Sequence, residues 1–408
     1  MDQRSVQTRY PPAQPEVGLP RRPGLLAPVQ VLEALRRGRW DVAVRLAMGA
    51  GITDLNQLTD TMFYLLHPEL RGRPCEVRYG KLAREWAQIR GRVWPVLQVT
   101  QPGSVRTSFG IDTASTDENL KADWALAKAR VPLEFAIVRA NWGTTRDWHF
   151  QHHWPKLKAA GLVRGAYMYL RFPHREIERK YGRAASPAAQ AKVFIATVGK
   201  LDQSEFPPSL DVEFPAPGWK ETGMTVRQLL DGVRDAWRVL KDCYGVPPIV
   251  YTSKRVWCDE LGNLPAADLV ESPLWLTPYI TKERRPAIYD PRTFAGGWRN
   301  PPVPSPWGDA TNWWIHQYQG DATGLPGIRS IVDMNRFNLT VRGATGDRIR
   351  WLQRRLGIPQ SGAFDAGTER SLRAFQNSKG IAADGMVDPR TFAYLCWSQR
   401  TSSRCPSW

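Results

Sequence analysis

The sequence predicts a multidomain protein: an irregular (β/α)-barrel of five βα units plus three strands, flanked by small all-α modules. Three observations carry that prediction. The chain has 408 residues, more than one ordinary core accommodates. From about residue 105 to 340, strand-like apolar runs alternate with helical stretches; repeated strand–helix units imply a parallel sheet, and eight strands imply a barrel. On either side of that region the strand rhythm gives way to helical periodicity.

Taken in order, residues 1–27 are rich in Pro, Gln, Arg and Gly and predict a disordered or extended arm. Residues 28–100 predict a small helical module of unassigned role. Its apolar sets are Val31, Leu32, Leu35, Trp40, Val44 and Leu46, then Leu55, Leu58, Met62, Phe63 and Leu66 stopped by His67-Pro68, then Leu82, Trp86, Ile89 and Val93. Residues 101–340 form the barrel. Its strands are expected at Phe109–Asp112, Phe135–Arg139, Gly165–Leu170, Leu210–Phe214, Ile249–Thr252, Leu274–Leu276, Trp313–Tyr318 and Ser330–Asp333. Ser186-Pro187 is a helix start with proline in the first turn, and Thr225-Val226-Arg227-Gln228 is a capping box. Residues 341–408 predict a separate helical unit. Ile349, Leu352 and Leu356, Leu372 and Phe375, and Phe392 and Leu395 mark three helices, with similar glycine turns at Gly362 and Gly385 between them.

Charge narrows the class of partner. With 56 basic and 39 acidic side chains the formal net charge is +17, which favours a polyanion: nucleic acid, an anionic membrane or an anionic cell wall. The basic residues are spread throughout rather than gathered in a stripe interleaved with aromatics, which argues against nucleic acid. The five cysteines show no metal-ligand spacing and predict no disulfide framework. His149, His152 and His153 lie close together, but no acidic residue stands between His149 and His153, and a surface helix is the better reading than zinc. No metal and no cofactor is expected.

The candidate chemistry lies in carboxylates. In Pro208–Phe214, apolar Leu210, Val212 and Phe214 alternate with Asp211 and Glu213, placing the two acids on one face of a strand. Asp112 and Asp333 also follow apolar strand residues, so four acids are expected near the carboxyl ends of the first, fourth and last strands, which converge on one mouth. Buried acids are costly unless used or paired. Tyr167, Tyr169, Tyr251, Trp275, Tyr279 and Gln317 come from the same strand ends. Paired carboxylates in a cup of aromatic rings suit glycoside hydrolysis, in which one acid protonates the leaving oxygen and a second carboxylate serves the sugar.

Phe109-Gly110-Ile111-Asp112-Thr113-Ala114-Ser115, Asp211-Val212-Glu213, Ile249–Ser253, Trp275-Leu276 and Ile331-Val332-Asp333 resemble, in order, the motifs of family 25 glycoside hydrolases, the Chalaropsis-type lysozymes or N-acetylmuramidases. The resemblance implies that Glu213 is the general acid, Asp211 its partner carboxylate, and Asp112 and Asp333 the rest of the acidic cup. One departure is Met168-Tyr169-Leu170, where family members often carry His-Phe. Residues 341–408 are similar to a common peptidoglycan-binding domain through Leu352-Gln353 with Leu356, Gly362 with Phe364, Thr368 with Leu372, Phe375-Gln376, and Asp384-Gly385 with Val387-Asp388. The expected function is therefore a muramidase that cuts the β-1,4 bond between N-acetylmuramic acid and N-acetylglucosamine, with peptidoglycan as partner. A non-catalytic peptidoglycan- or glycan-binding protein is the alternative. No apolar signal-peptide core follows Met1-Asp2-Gln3-Arg4, and no run is long enough to span a membrane. Synthesis in the cytoplasm is expected, with access to the bacterial wall through lysis or a phage or injection device, the N-terminal module serving as a component of it. Loss of the C-terminal unit is expected to weaken wall binding and spare cleavage of short glycans.

Overall fold

The computed structural model describes residues 28–49, 55–70, isolated positions between 85 and 93, 107–114, 121–131, 133–214, 218–277, 301–401 and 405. Three short helices come first: α1 (Pro28–Arg36), α2 (Trp40–Gly49) and α3 (Leu55–Leu66). Val31, Leu35, Val44, Leu58, Met62 and Phe63 meet in a core of their own, to which Ile89 and Val93 also belong. The other two members of that third apolar set, Leu82 and Trp86, lie outside the described residues.

Eight strands then close on themselves: β1 (Thr107–Thr113), β2 (Leu133–Trp142), β3 (Val163–Tyr169), β4 (Ser209–Asp211), β5 (Ile249–Thr252), β6 (Leu274–Leu276), β7 (Ile315–Ala322) and β8 (Val332–Asn338). Each pairs with its sequence neighbour in parallel as far as β7, and β1 pairs with β2 on one side and β8 on the other, so no edge is left open. β8 runs antiparallel to both β7 and β1. The sequence reading ended the last strand at Asp333; the strand instead begins there and runs on to Asn338, with Met334, Asn335 and Phe337 buried along it. Asp333 thus stands at the amino end of a reversed strand, which brings it to the same mouth as the carboxyl ends of the other seven.

Helices α4 (Trp124–Arg130), α5 (Phe150–Ala159), α6 (Arg175–Tyr181), α7 (Pro187–Val198) and α8 (Val226–Tyr244) connect the first five strands. Ser186 caps α7 through its side chain, and Thr225 and Gln228 form the reciprocal capping box of α8. The fifth unit closes with a single π-helical turn, Arg255–Glu260, in place of an α-helix. Inside the barrel Gly110 is obligatory, because a Cβ there would overlap the Phe135 ring.

The last three helices are α9 (Asp347–Leu356), α10 (Ala366–Ser378) and α11 (Pro389–Trp397). They contain a repeat. The Gln353 amide donates to Ser361 Oγ, the Ala363 carbonyl and Thr368 Oγ1, while its oxygen accepts from Gly362 N. The Gln376 amide does the same with Asp384 Oδ1, the Met386 carbonyl, Thr391 Oγ1 and Gly385 N. In each half an aspartate, Asp365 or Asp388, caps the following helix.

This unit is not separate in its packing. Phe392 lies 5.7 Å from Phe206, 5.3 Å from Phe337, 4.7 Å from Trp314 and 5.6 Å from Trp351, ring centre to ring centre. Phe206 precedes β4, Trp314 precedes β7 and Phe337 is near the end of the reversed β8. The module therefore plugs the floor of the barrel, opposite the mouth. Asp309 and Asp347 exchange backbone-to-carboxylate bonds of 3.0 and 2.7 Å across the junction, and the Trp397 indole donates to the Glu205 carbonyl. Cys243 at the end of α8 is disulfide-bonded to Cys405, which corrects the expectation of no disulfide framework.

Candidate active site

The mouth is built from residues at the strand ends, and strand register decides which residues meet. Asp112 of β1 lies directly opposite Asp333 of β8. Across the parallel strands, Tyr169 aligns with Asp211, Asp211 with Tyr251, and Tyr251 with Trp275. Asp112, Tyr167, Asp211, Tyr251, Trp275, Gln317 and Asn335 are all buried there.

A relay of hydrogen bonds fixes these groups. Tyr251 Oη donates to Gln317 Oε1 (2.8 Å), and Gln317 Nε2 donates to Asp112 Oδ2 (2.8 Å) and Asp333 Oδ2 (3.2 Å). Trp275 Nε1 donates to Asn335 Oδ1 (2.7 Å), and Asn335 Nδ2 donates to the same Asp112 oxygen (2.6 Å). The other oxygen of Asp333 accepts from the backbone N–H of Asp321, a non-glycine residue at φ 56° in an irregular stretch of β7. A left-handed non-glycine backbone at the rim of a site is strain kept where it aims a donor. Tyr167 and Tyr251 both turn ring edges to Trp275, at 6.1 and 4.6 Å.

Asp211 and Glu213 differ from that braced pair. The strand ends at Asp211, and Glu213 stands two residues beyond it in the loop, next to Tyr169 in a cleft also lined by Arg171, Phe172, His174 and Ile177. Buried Val212 and Phe214 hold the loop down, with Phe214 5.6 Å from Phe172. Asp211 Oδ1 is buried with no hydrogen-bond partner among the described residues. A native buried carboxylate oxygen left in that state calls for a reason, since burial without a bond is costly.

The electrostatics follow from crowding. Burial first, then the Asp333 charge, pushes the Glu213 carboxyl up to about 7, against a smaller opposing pull from Arg255. Burial pushes Asp211 well above the usual carboxylate range, with Glu213 and Asp112 adding to it and Arg139 opposing. Asp112 is raised by burial and Asp333, and its bonds from Gln317 and Asn335 resist that. The acids therefore titrate as a cluster, and burial favours the protonated form of Asp211.

Of the residues singled out in the sequence, the structure brings together Asp112, Asp211, Glu213, Asp333, Tyr167, Tyr169, Tyr251, Trp275 and Gln317. Tyr279 lies outside the described residues. Sequence reading missed Asn335, which its period-two spacing from Asp333 could have revealed. It also missed Arg139 and Arg255 as cations acting on Asp211 and Glu213. Arg139 is itself bonded to buried Asp147 (3.1 Å), and Arg255 pairs with Glu260 in the π-helical turn. His153, in the histidine group, accepts a 3.2 Å bond from the Trp124 indole, and burial lowers its basicity to about 4.

Residues 111–327 match the family described as Glycosyl hydrolases family 25, and residues 345–395 match the family described as Putative peptidoglycan binding domain. Among curated proteins, the chain is 29% identical to Uncharacterized protein YegX of Escherichia coli strain K12 over 241 residues, covering 58% of this chain and 71% of that one. Among solved structures it resembles the bacterial lysozyme from Streptomyces coelicolor, with a TM-score of 0.44, 25% identity, and coverage of 56% of this chain and 91% of that one. A family GH25 lysozyme from Aspergillus fumigatus gives a TM-score of 0.41 and 22% identity, covering 57% and 94% respectively.

Proposed function

Because the chain belongs to glycosyl hydrolase family 25 and carries a peptidoglycan-binding domain, and is thereby a peptidoglycan hydrolase, we propose that it is a muramidase cutting the β-1,4 bond between N-acetylmuramic acid and N-acetylglucosamine. The observation that supports this reading is the unpartnered, buried Asp211 oxygen beside a Glu213 still protonated near neutrality. Glu213 gives its proton to the glycosidic oxygen as the bond to the muramic acid carbon breaks. Asp211 in its ionised form faces the positive charge that develops on the sugar, a charge that itself favours Asp211 ionisation. Water adds to the sugar and a proton returns to Glu213. Burial, and then the charge of Asp333, which Gln317 holds in place, raise Glu213 so that it keeps its proton. Tyr169, half-buried at the mouth, offers its ring to the sugars, while Tyr167, Tyr251 and Trp275 form the aromatic bed beneath the acids.

Mass spectrometry of muropeptides released from purified peptidoglycan tests the bond. New reducing ends on N-acetylmuramic acid are expected. Reducing ends on N-acetylglucosamine would reassign the cleavage, and absence of soluble product would leave only binding. Delivery by lysis or by a phage or injection device through the N-terminal module belongs to the same proposal; full-length protein found outside intact cells without either would overturn it.

A further inference from the structure

The aromatic residues of the mouth continue outward past the acids. Tyr169, beside Glu213 in the cleft, stands 6.2 Å from Trp142 at the end of β2. Trp142 meets Tyr181 edge to face at 5.1 Å, and Tyr181, the last residue of α6, is 55% exposed. This row rests on a built support. Arg171 is only 6% exposed, lays its guanidinium over the Trp142 ring at 4.2 Å, and donates from Nη2 to the Gly182 carbonyl at 2.8 Å. It thereby ties the end of β2 to the end of α6. Gly143 makes room for it, since a Cβ there would stand 2.7 Å from Arg171 Cδ. The Arg171 backbone is fixed in turn by Gln190, which accepts from its N–H at 2.8 Å and donates to its carbonyl at 2.7 Å. Burying a guanidinium under an indole is costly, and what it secures here is the orientation of a half-buried ring next to an exposed one.

We propose that Trp142 and Tyr181 form an outer subsite for a further N-acetylhexosamine ring of the glycan strand, beyond the two rings flanking the cleaved bond. The identity of the strand rests on the muramidase reading. The occupant is assigned from continuity: the row starts at Glu213 and runs through Tyr169 without a break, so a chain threaded through the cleft reaches it. Lys180 Nζ sits 4.8 Å from the Tyr181 ring, and a sugar face takes that place when the strand binds.

Peptide-free glycans of four, six and eight rings, presented to the full-length protein, test the subsite. In the wild type, kcat/KM is expected to rise about five- to tenfold from the shortest to the longest, the scale of one good aromatic contact. Trp142→Ala and Tyr181→Ala are expected to bring the long-to-short ratio close to one, and Tyr181→Phe to keep it. A ratio unchanged in both alanine variants, with melting temperatures intact, or an equal loss on short and long glycans, overturns the subsite. Calorimetry in a Glu213→Gln background separates this from the bond assignment. If Tyr181→Ala weakens the eight-ring glycan more than the four-ring one there while wild type makes no muramic acid ends, the subsite stands and the muramidase reading falls. If wild type makes those ends with no dependence on length, the subsite falls and the muramidase reading stands.

Discussion

Glu213 and Asp211 are two residues apart, yet they reach the site by different means: one as the last residue of β4, the other from the loop that Val212 and Phe214 pin down. Their titration follows from that crowding. Glu213 binds its proton more tightly in the folded protein, at about 7 against an ordinary 4.5, so its contribution to stability is present below about 4.5 and is lost as pH rises to about 7. Glu213→Gln is therefore expected to melt higher than wild type above pH 7, with the difference shrinking towards pH 4.5; a constant difference across that window in a pH series of melts would contradict the shift. The same variant lacks the transferable proton and is expected to lose about 10²–10⁴-fold in turnover, while wild-type activity falls as pH passes about 7. More than about a tenth of wild-type turnover in the folded variant would remove Glu213 from the acid role. Asn335 gives a second residue-level test. It is fully buried and joins the Trp275 indole to Asp112, so Asn335→Ala is expected to cost about 1–3 kcal/mol in chemical denaturation and to raise Asp112 further. The four acids are legible in the sequence because a carboxylate after apolar strand residues has no packing explanation. Asn335 is not, because a buried amide is an ordinary way of satisfying its neighbours and acquires meaning only when Asp112 is seen across from it.

At the scale of elements, strand positions are readable from apolar runs, and all eight expected strands occur. Direction is not readable in that way. Period-two patterning is the same read forward or backward, so the reversal of β8, and with it the reason Asp333 reaches the mouth, emerges only from pairing with β1 and β7. The π-helical turn after β5 is equally silent, since six residues are too few to show a period. The glycine turns of the last module are legible as a repeat, and Gln353 and Gln376 stand in its motifs, but that each glutamine braces a turn is visible only in the fold. Gln376 is fully buried and satisfies Asp384, Gly385, Met386 and Thr391 at once. Gln376→Leu has comparable size and no hydrogen bonds, so it strands those groups. A loss of about 1–3 kcal/mol per stranded buried group is expected, enough to melt the module. Circular dichroism melts of Gln376→Leu and Gln353→Leu should agree, because the two turns are built alike; a silent Gln376→Leu would show that the turns stand without their braces.

At the scale of the whole molecule, the joint between barrel and last module departs most from what the sequence implies. Family-like motifs on both sides of residue 340 suggest two beads on a string. Phe392, an apparent helix-core residue of the module, is instead the centre of an aromatic cluster with Phe206, Phe337, Trp314 and Trp351 that closes the barrel floor. Removing everything after Leu339 would expose Phe206, Trp314 and Phe337 to water and cut the Asp309–Asp347 exchange and the Cys243–Cys405 crosslink. The truncated chain is therefore expected to be poorly soluble or to melt far below the full chain, and to lose cleavage of short glycans through unfolding rather than through chemistry. Phe392→Ala isolates the packing term: it leaves the chain intact and is expected to cost about 3–5 kcal/mol, the usual range for emptying a phenylalanine site in a core. Cys405→Ser isolates the crosslink and is expected to lower the melting temperature in non-reducing buffer while changing nothing when reductant is present. A truncated barrel that stays soluble, melts with the full-length protein and cleaves short glycans at the full rate would show that the floor closes without the module, and would restore the two-bead picture.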